Sequence, residues 1–145
     1  MENSIAQQEA SGSWIFDIND ETLVANKLYG TIDGGGVTLQ GSRWSNTPPS
    51  EGFDLRVNLV DNLPGNEKLD LPENGFYEYP LTSKRIQVSY NGIKNNQNFY
   101  GIGEEGEITI CLDPTKRLYF GHLNINFTVD GNPVNIKSSF GIEIR

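Results

Sequence analysis

Few residues in this chain are equipped for chemistry. It holds one histidine, His122, and one cysteine, Cys111, among 145 residues that include nineteen Asp and Glu. One histidine leaves one general base for a Ser-His-Asp or Cys-His arrangement and rules out a multi-histidine metal site. One cysteine rules out an intramolecular disulfide and a cysteine zinc cluster. His122 stands between Gly121 and Leu123 in an alternating run, which predicts a strand residue on the more polar face rather than an oriented catalytic base. Cys111 is predicted to be a small, semi-buried strand residue. Paired carboxylates are the one catalytic arrangement the composition leaves open, because a glycosidase needs two acids several ångströms apart and nothing else of fixed spacing.

Two motifs invite a ligand and are answered by their surroundings. The string Gly101-Ile102-Gly103-Glu104-Glu105-Gly106 matches the glycine pattern of dinucleotide-binding turns, but that chemistry needs a helix N-terminus after it. Here a strand pattern follows, and three glutamates would face the phosphates, so a β-turn is predicted instead. The run Asp17-Ile18-Asn19-Asp20-Glu21 clusters oxygen ligands but lacks the mid-loop glycine and distal glutamate of a calcium hand. No catalytic residue, metal site or cofactor is assigned.

Aromatic side chains carry the remaining signal. Trp44 and Tyr100 stand in loop-like contexts, and Tyr77 and Tyr79 belong to Phe76-Tyr77-Glu78-Tyr79-Pro80, where strand parity puts both tyrosines on one face. These four are the candidate ligand-binding residues, able to stack on sugar rings while offering a polar tip. Core packing is the competing account of the same residues. Asn126-Phe127-Thr128 fits a glycosylation sequon but falls inside a predicted strand.

The elements that must position these residues are strands. Sixteen glycines disfavour long helices. Residues 1–13 are small and polar and are predicted as a flexible tail; residues 14–145 are predicted as a single all-β domain. Val134, Ile136, Ser138, Phe140, Ile142 and Ile144 alternate with polar residues, as do Leu123, Ile125, Phe127 and Val129. Asp130-Gly131 between them predicts a hairpin. With residues 107–112 and the turn at Asp113-Pro114, they form a three-stranded meander. Asn91-Gly92 predicts another hairpin, and residues 41–52 and 61–75 read as long connections. The predicted core is Trp14, Phe16, Leu55, Val57, Ile86, Val88, Ile108, Ile110, Ile125, Phe127, Ile136, Phe140 and Ile142. Eight or more short strands suit an antiparallel β-sandwich, with a β-barrel as the alternative.

Bulk properties bound the partners. A net charge of −8 and a pI near 4.5 repel polyanions, and no basic cluster exceeds the pairs Lys84-Arg85 and Lys116-Arg117, so nucleic acid is excluded as a partner. A basic protein or a neutral glycan is compatible with that field. No apolar run approaches the roughly 20 residues of a transmembrane helix.

From residue 75 onward the order of features is familiar: Gly75-Phe76-Tyr77, then Gly106-Glu107-Ile108-Thr109-Ile110, then Gly121 before Leu123-Asn124-Ile125-Asn126-Phe127, then Phe140-Gly141. This half of the chain resembles small secreted lipoproteins of Bacteroidetes-type bacteria, domains of unknown function. The resemblance implies a β-sandwich at an extracytoplasmic location (periplasm, cell surface or secreted), although the sequence carries no N-terminal lipid-accepting cysteine. Cytoplasmic residence is the other option. The function expected is a non-enzymatic binding or structural module for a protein or glycan ligand. The alternatives are an acidic immunity or antitoxin protein that neutralises a basic toxin, and a carboxylate-pair glycoside hydrolase.

Overall fold

The computed structural model describes all residues except 1–7, 34–35, 46, 49, 61–71, 81–85 and 145. Ten strands account for most of it: β1 (Gln8–Ile18), β2 (Glu21–Val24), β3 (Lys27–Asp33), β4 (Gly36–Trp44), β5 (Gly52–Val60), β6 (Gly75–Tyr79), β7 (Ile86–Lys94), β8 (Gln97–Asp113), β9 (Leu118–Val129) and β10 (Asn132–Ile144). All pairings are antiparallel. The all-β expectation holds, and of its two architectures the structure takes the barrel type. One sheet runs β10-β9-β8-β7-β5-β4-β3-β1-β2, and β1 also pairs with β10, so the ladder curls back on itself. The β1–β3 seam is short, at Gln8↔Gly30 and Glu9↔Tyr29. A sandwich would divide this ladder in two. The long strand β8 prevents that: it bends at a bulge between Gly103 and Glu105, pairing with β7 along 97–102 and with β6 along 106–110.

The strand β1 begins at Gln8, inside the segment expected as a tail. Its residues 10–13 pair with residues 141–144 of β10, because the terminal strand offers an edge that the ladder needs to close. Residues 1–7 lie outside the described residues.

All thirteen predicted core residues are buried. Period 2 sends them inward, where a file of rings leads through the interior. Trp14 packs on Phe140 at 4.6 Å and Phe16 at 6.0 Å, Phe16 on Phe53 at 5.0 Å, Phe53 on Tyr90 at 5.5 Å, and Tyr90 on Phe99 at 5.0 Å. Small residues make room for this bulk: a Cβ on Gly41 would stand 2.6 Å from the Trp14 ring, and one on Gly121 would stand 2.4 Å from Phe140. The buried indole of Trp14 donates to Ser138 Oγ at 2.5 Å, and Ser138 in turn donates to the Ile15 carbonyl at 2.9 Å. The indole N–H at the buried end of the file is thereby satisfied.

The C-terminal meander forms as read. Val134 pairs with Phe127 and Ile136 with Ile125, and Asp130 (φ 51°) and Gly131 (φ 80°) make the turn. The Asn91-Gly92 signal misleads. Gly92 lies within β7, and the turn falls at Asn95-Asn96, with φ values of 54° and 63°. Gly92 serves close approach instead, because a Cβ there would stand 2.0 Å from the Gly52 carbonyl oxygen. The expected turn at residues 101–106 is likewise strand interior in β8. A Cβ on Gly103 would press on Ile125 and Tyr79, so these glycines answer to the core and not to a phosphate.

Candidate functional site at the mouth of the barrel

Four connections gather at one end of the curled sheet: Asn19-Asp20 after β1, residues 45–51 after β4, Asn95-Asn96 after β7, and Asp130-Gly131 after β9. The first, third and fourth are two-residue turns with positive φ at both positions, a conformation that Asn, Asp and Gly tolerate and that matches the twist of flanking strands. Between the first three connections opens a cleft of about 690 Å³, within the range of small-ligand sites. Its apolar wall is Phe53, Tyr90, Ile93 and Phe99, with Trp44 beside them; Arg43, Glu51 and Lys94 stand at the rim. The ring file of the interior thus surfaces here.

The rim is fixed by side chains that bond to backbone. Asn26 Nδ2 donates to the Trp44 carbonyl at 2.7 Å, and its Oδ1 accepts from the Trp44 amide at 3.2 Å, so one side chain substitutes for a strand partner. Arg43 donates to the Val24 carbonyl at 2.9 Å. The Glu51 carboxylate accepts the Asn95 amide at 2.7 Å, joining the β4–β5 connection to the β7–β8 turn. The Trp44 indole donates to Asp54 at 2.9 Å, and the same carboxylate accepts from Ser42 Oγ at 2.6 Å. Gln40 extends this network, donating to Ser42 at 3.0 Å and accepting Arg56 at 2.7 and 3.1 Å. A cleft whose walls are held before a ligand arrives loses less conformational freedom on binding.

Tyr90 forms the inner wall of the cleft. Burial pushes its phenol above the ordinary value of 10.0, so it stays protonated and able to donate. It makes ring contacts with Phe53, Phe99 and Phe127, and among the described residues its hydroxyl has no hydrogen-bond partner.

The four aromatic residues singled out from sequence do not converge. Trp44 belongs to the mouth and ends β4, since residues 41–44 are strand and the connection is only 45–51. Tyr79 and Tyr100 line a separate groove of about 610 Å³ where β7 and β8 part. Tyr79 is buried there, its hydroxyl accepting the Val88 amide at 3.0 Å; burial raises its phenol and that bond partly offsets the rise. Tyr100 is exposed on the outer face. Tyr77 is half-buried on β6 and donates to the Glu73 carbonyl. Sequence reasoning did not single out Tyr90, Phe53 or Phe99, nor Asn26, whose capping role has no local signature.

The other chemical candidates lie elsewhere. His122 is exposed on the outside of β9, its Nδ1 2.8 Å from Ser139 Oγ, with Thr109 opposite on β8. Cys111 also faces outward and is exposed, a correction to the semi-buried position expected of it, because its strand neighbours Ile110 and Leu112 take the inward parity. Asp17 lies opposite Lys137 and accepts Thr22 Oγ1 at 3.5 Å. Among the described residues no group of three or more His, Cys, Asp or Glu is placed to hold a metal ion, and no helix is long and apolar enough to cross a membrane. No family model, curated protein or solved structure matches this chain.

Proposed function

We propose that the protein is a non-enzymatic binding module whose ligand, a glycan, seats in the mouth cleft. The observation that carries this reading is the cleft itself: aromatic walls, a protonated Tyr90 hydroxyl without a partner among the described residues, and a rim tied in place by Asn26, Arg43 and Glu51. Sugar rings present apolar faces edged with hydroxyls, which such a wall and rim match. The resemblance to exported lipoproteins supports an extracytoplasmic setting, where glycans are abundant.

A glycan array probed with the wild-type chain, Trp44→Ala and Tyr90→Phe tests the proposal. A hit weakened at least tenfold by Trp44→Ala and severalfold by Tyr90→Phe supports it. Hits indifferent to both variants would move the ligand elsewhere. Turnover of a glycan, abolished by changing a single acidic residue, would replace the binding module with a carboxylate-pair hydrolase.

A further inference from the structure

The outer face of β6, residues 105–113 of β8, β9, β10, β1 and β2 carries a feature that the mouth does not explain. Register places Phe76, Thr109, His122, Ser139, Ile15 and Val24 in one row across six strands. Phe76 is 59% exposed, Val24 49% and Ile15 44%, and Phe120 joins them at 47% from the adjoining row. Single exposed apolar residues are ordinary on a protein surface. Four of the six large apolar side chains exposed among the described residues fall on this one face. Five strand intervals of about 4.8 Å make the row roughly 24 Å long, so with its flanking rows the face covers on the order of 600–800 Å², about one side of a standard protein interface.

Charge says which partner would cover it. The next row runs Glu78, Glu107, Asn124, Lys137 and Asp17, and Glu105 and Glu143 are exposed on the same face. Lys137 is the sole Lys or Arg in β1, β2, β6, β9, β10 and residues 105–113 of β8. A second copy of this chain would stack acid on acid, and an anionic surface would be repelled by the net charge of −8. A basic partner gains both steering and pairing.

We infer that this face docks a basic protein, one that presents an apolar ridge flanked by Lys or Arg. The inference is independent of the mouth cleft and survives the failure of the glycan reading.

The test uses a synthetic twelve-residue peptide of alternating Lys and Leu as probe, with alternating Lys and Ser as the charge-matched control, titrated calorimetrically into the full chain. Micromolar binding of the Lys-Leu peptide is expected, at least tenfold tighter than the control and weakened by added salt. Phe76→Ser with Phe120→Ser should reduce it about tenfold, and Glu78→Lys with Glu107→Lys by at least as much. Ile102→Ser, an equally exposed apolar change outside this face, should leave it unaltered. Circular dichroism and melting curves for each variant separate lost binding from lost folding. Equal affinity for the two peptides, or variants that bind like wild type, would overturn the inference. So would sedimentation of the wild type as a dimer that Phe120→Ser dissolves.

Discussion

The β8–β9–β10 meander and the mouth formed by β4, β5 and β7 solve the same positioning problem differently. In the meander the ladder is nearly unbroken, from Glu105↔Asn126 to Asp113↔Leu118 and from Val129↔Asn132 to Leu118↔Glu143. Inward side chains other than Ser138 are largely apolar, and outward ones bond to one another, as Asn135 does to Asn124 and Asn126 at 2.8 and 2.7 Å. At the mouth the ladder ends at Trp44↔Gly52, and a handful of polar side chains takes over. Backbone regularity fixes position without regard to outward side-chain identity, whereas a strand end is fixed by particular residues. Substitution should therefore act by face in the meander and by hydrogen bond at the mouth.

The largest effect should come from the meander's inner face. Phe127 is 1% exposed, and Phe127→Ala should cost about 3–5 kcal/mol in denaturant unfolding through lost burial and the cavity left behind. At the mouth, Asp54→Ala removes the acceptor shared by Trp44 and the buried Ser42. Leaving these donors unsatisfied should cost about 1–3 kcal/mol, and the Trp44 environment should change in fluorescence. A Phe127→Ala effect no larger than that of Asp54→Ala would erase the distinction between the two regions.

A gentler probe is Glu51→Ala. It should speed amide exchange at Asn95 while moving the global midpoint little, because the bond it removes joins two connections and no core residue. Uniform loss of protection across β7 and β8 would show that the tie supports the whole sheet.

Alkaline pH gives a different contrast. Burial raises the phenols of Tyr79, Tyr90 and Tyr119 above the unfolded value of 10.0, with Arg117 lowering and Asp113 raising Tyr119 by smaller amounts. The unfolded chain loses these protons first. The contribution of each phenol to stability is thus complete below pH 10 and is lost as pH rises through its raised value. Tyr90→Phe should flatten this alkaline decline without removing a hydrogen bond to any of the described residues. An unchanged decline would mean that the phenol is more solvated than its ring contacts imply. The smallest effect belongs to the meander's outer face, where Asn126→Ala should stay within about 0.5 kcal/mol.

Period 2 made much of this legible. Alternation around Asp130-Gly131 gave the register of the last hairpin, and parity alone identified the inward face of every strand from which core residues were named. That works because a pleated strand with one buried face writes its burial into every second residue. The candidate site was far less legible. Trp44 could be named from its type, but its companions Tyr90, Phe53 and Phe99 look like any inward strand residue, and Asn26 owes its role to a strand end 18 positions away.

What the sequence determined by itself was the class of the molecule: all-β, antiparallel, acidic, with a known apolar face on the strands that carry the predicted core. Tertiary structure alone decided that the sheet curls and closes through β1, that glycines 92 and 103 serve packing rather than turns, and which aromatic rings meet at the mouth. The physical reason is that alternation records only whether a side chain points inward. A sandwich and a barrel demand the same alternation, and the choice between them rests on which strand edges meet, a contact between Gln8 and Gly30 or Ala10 and Ile144 that no local pattern carries.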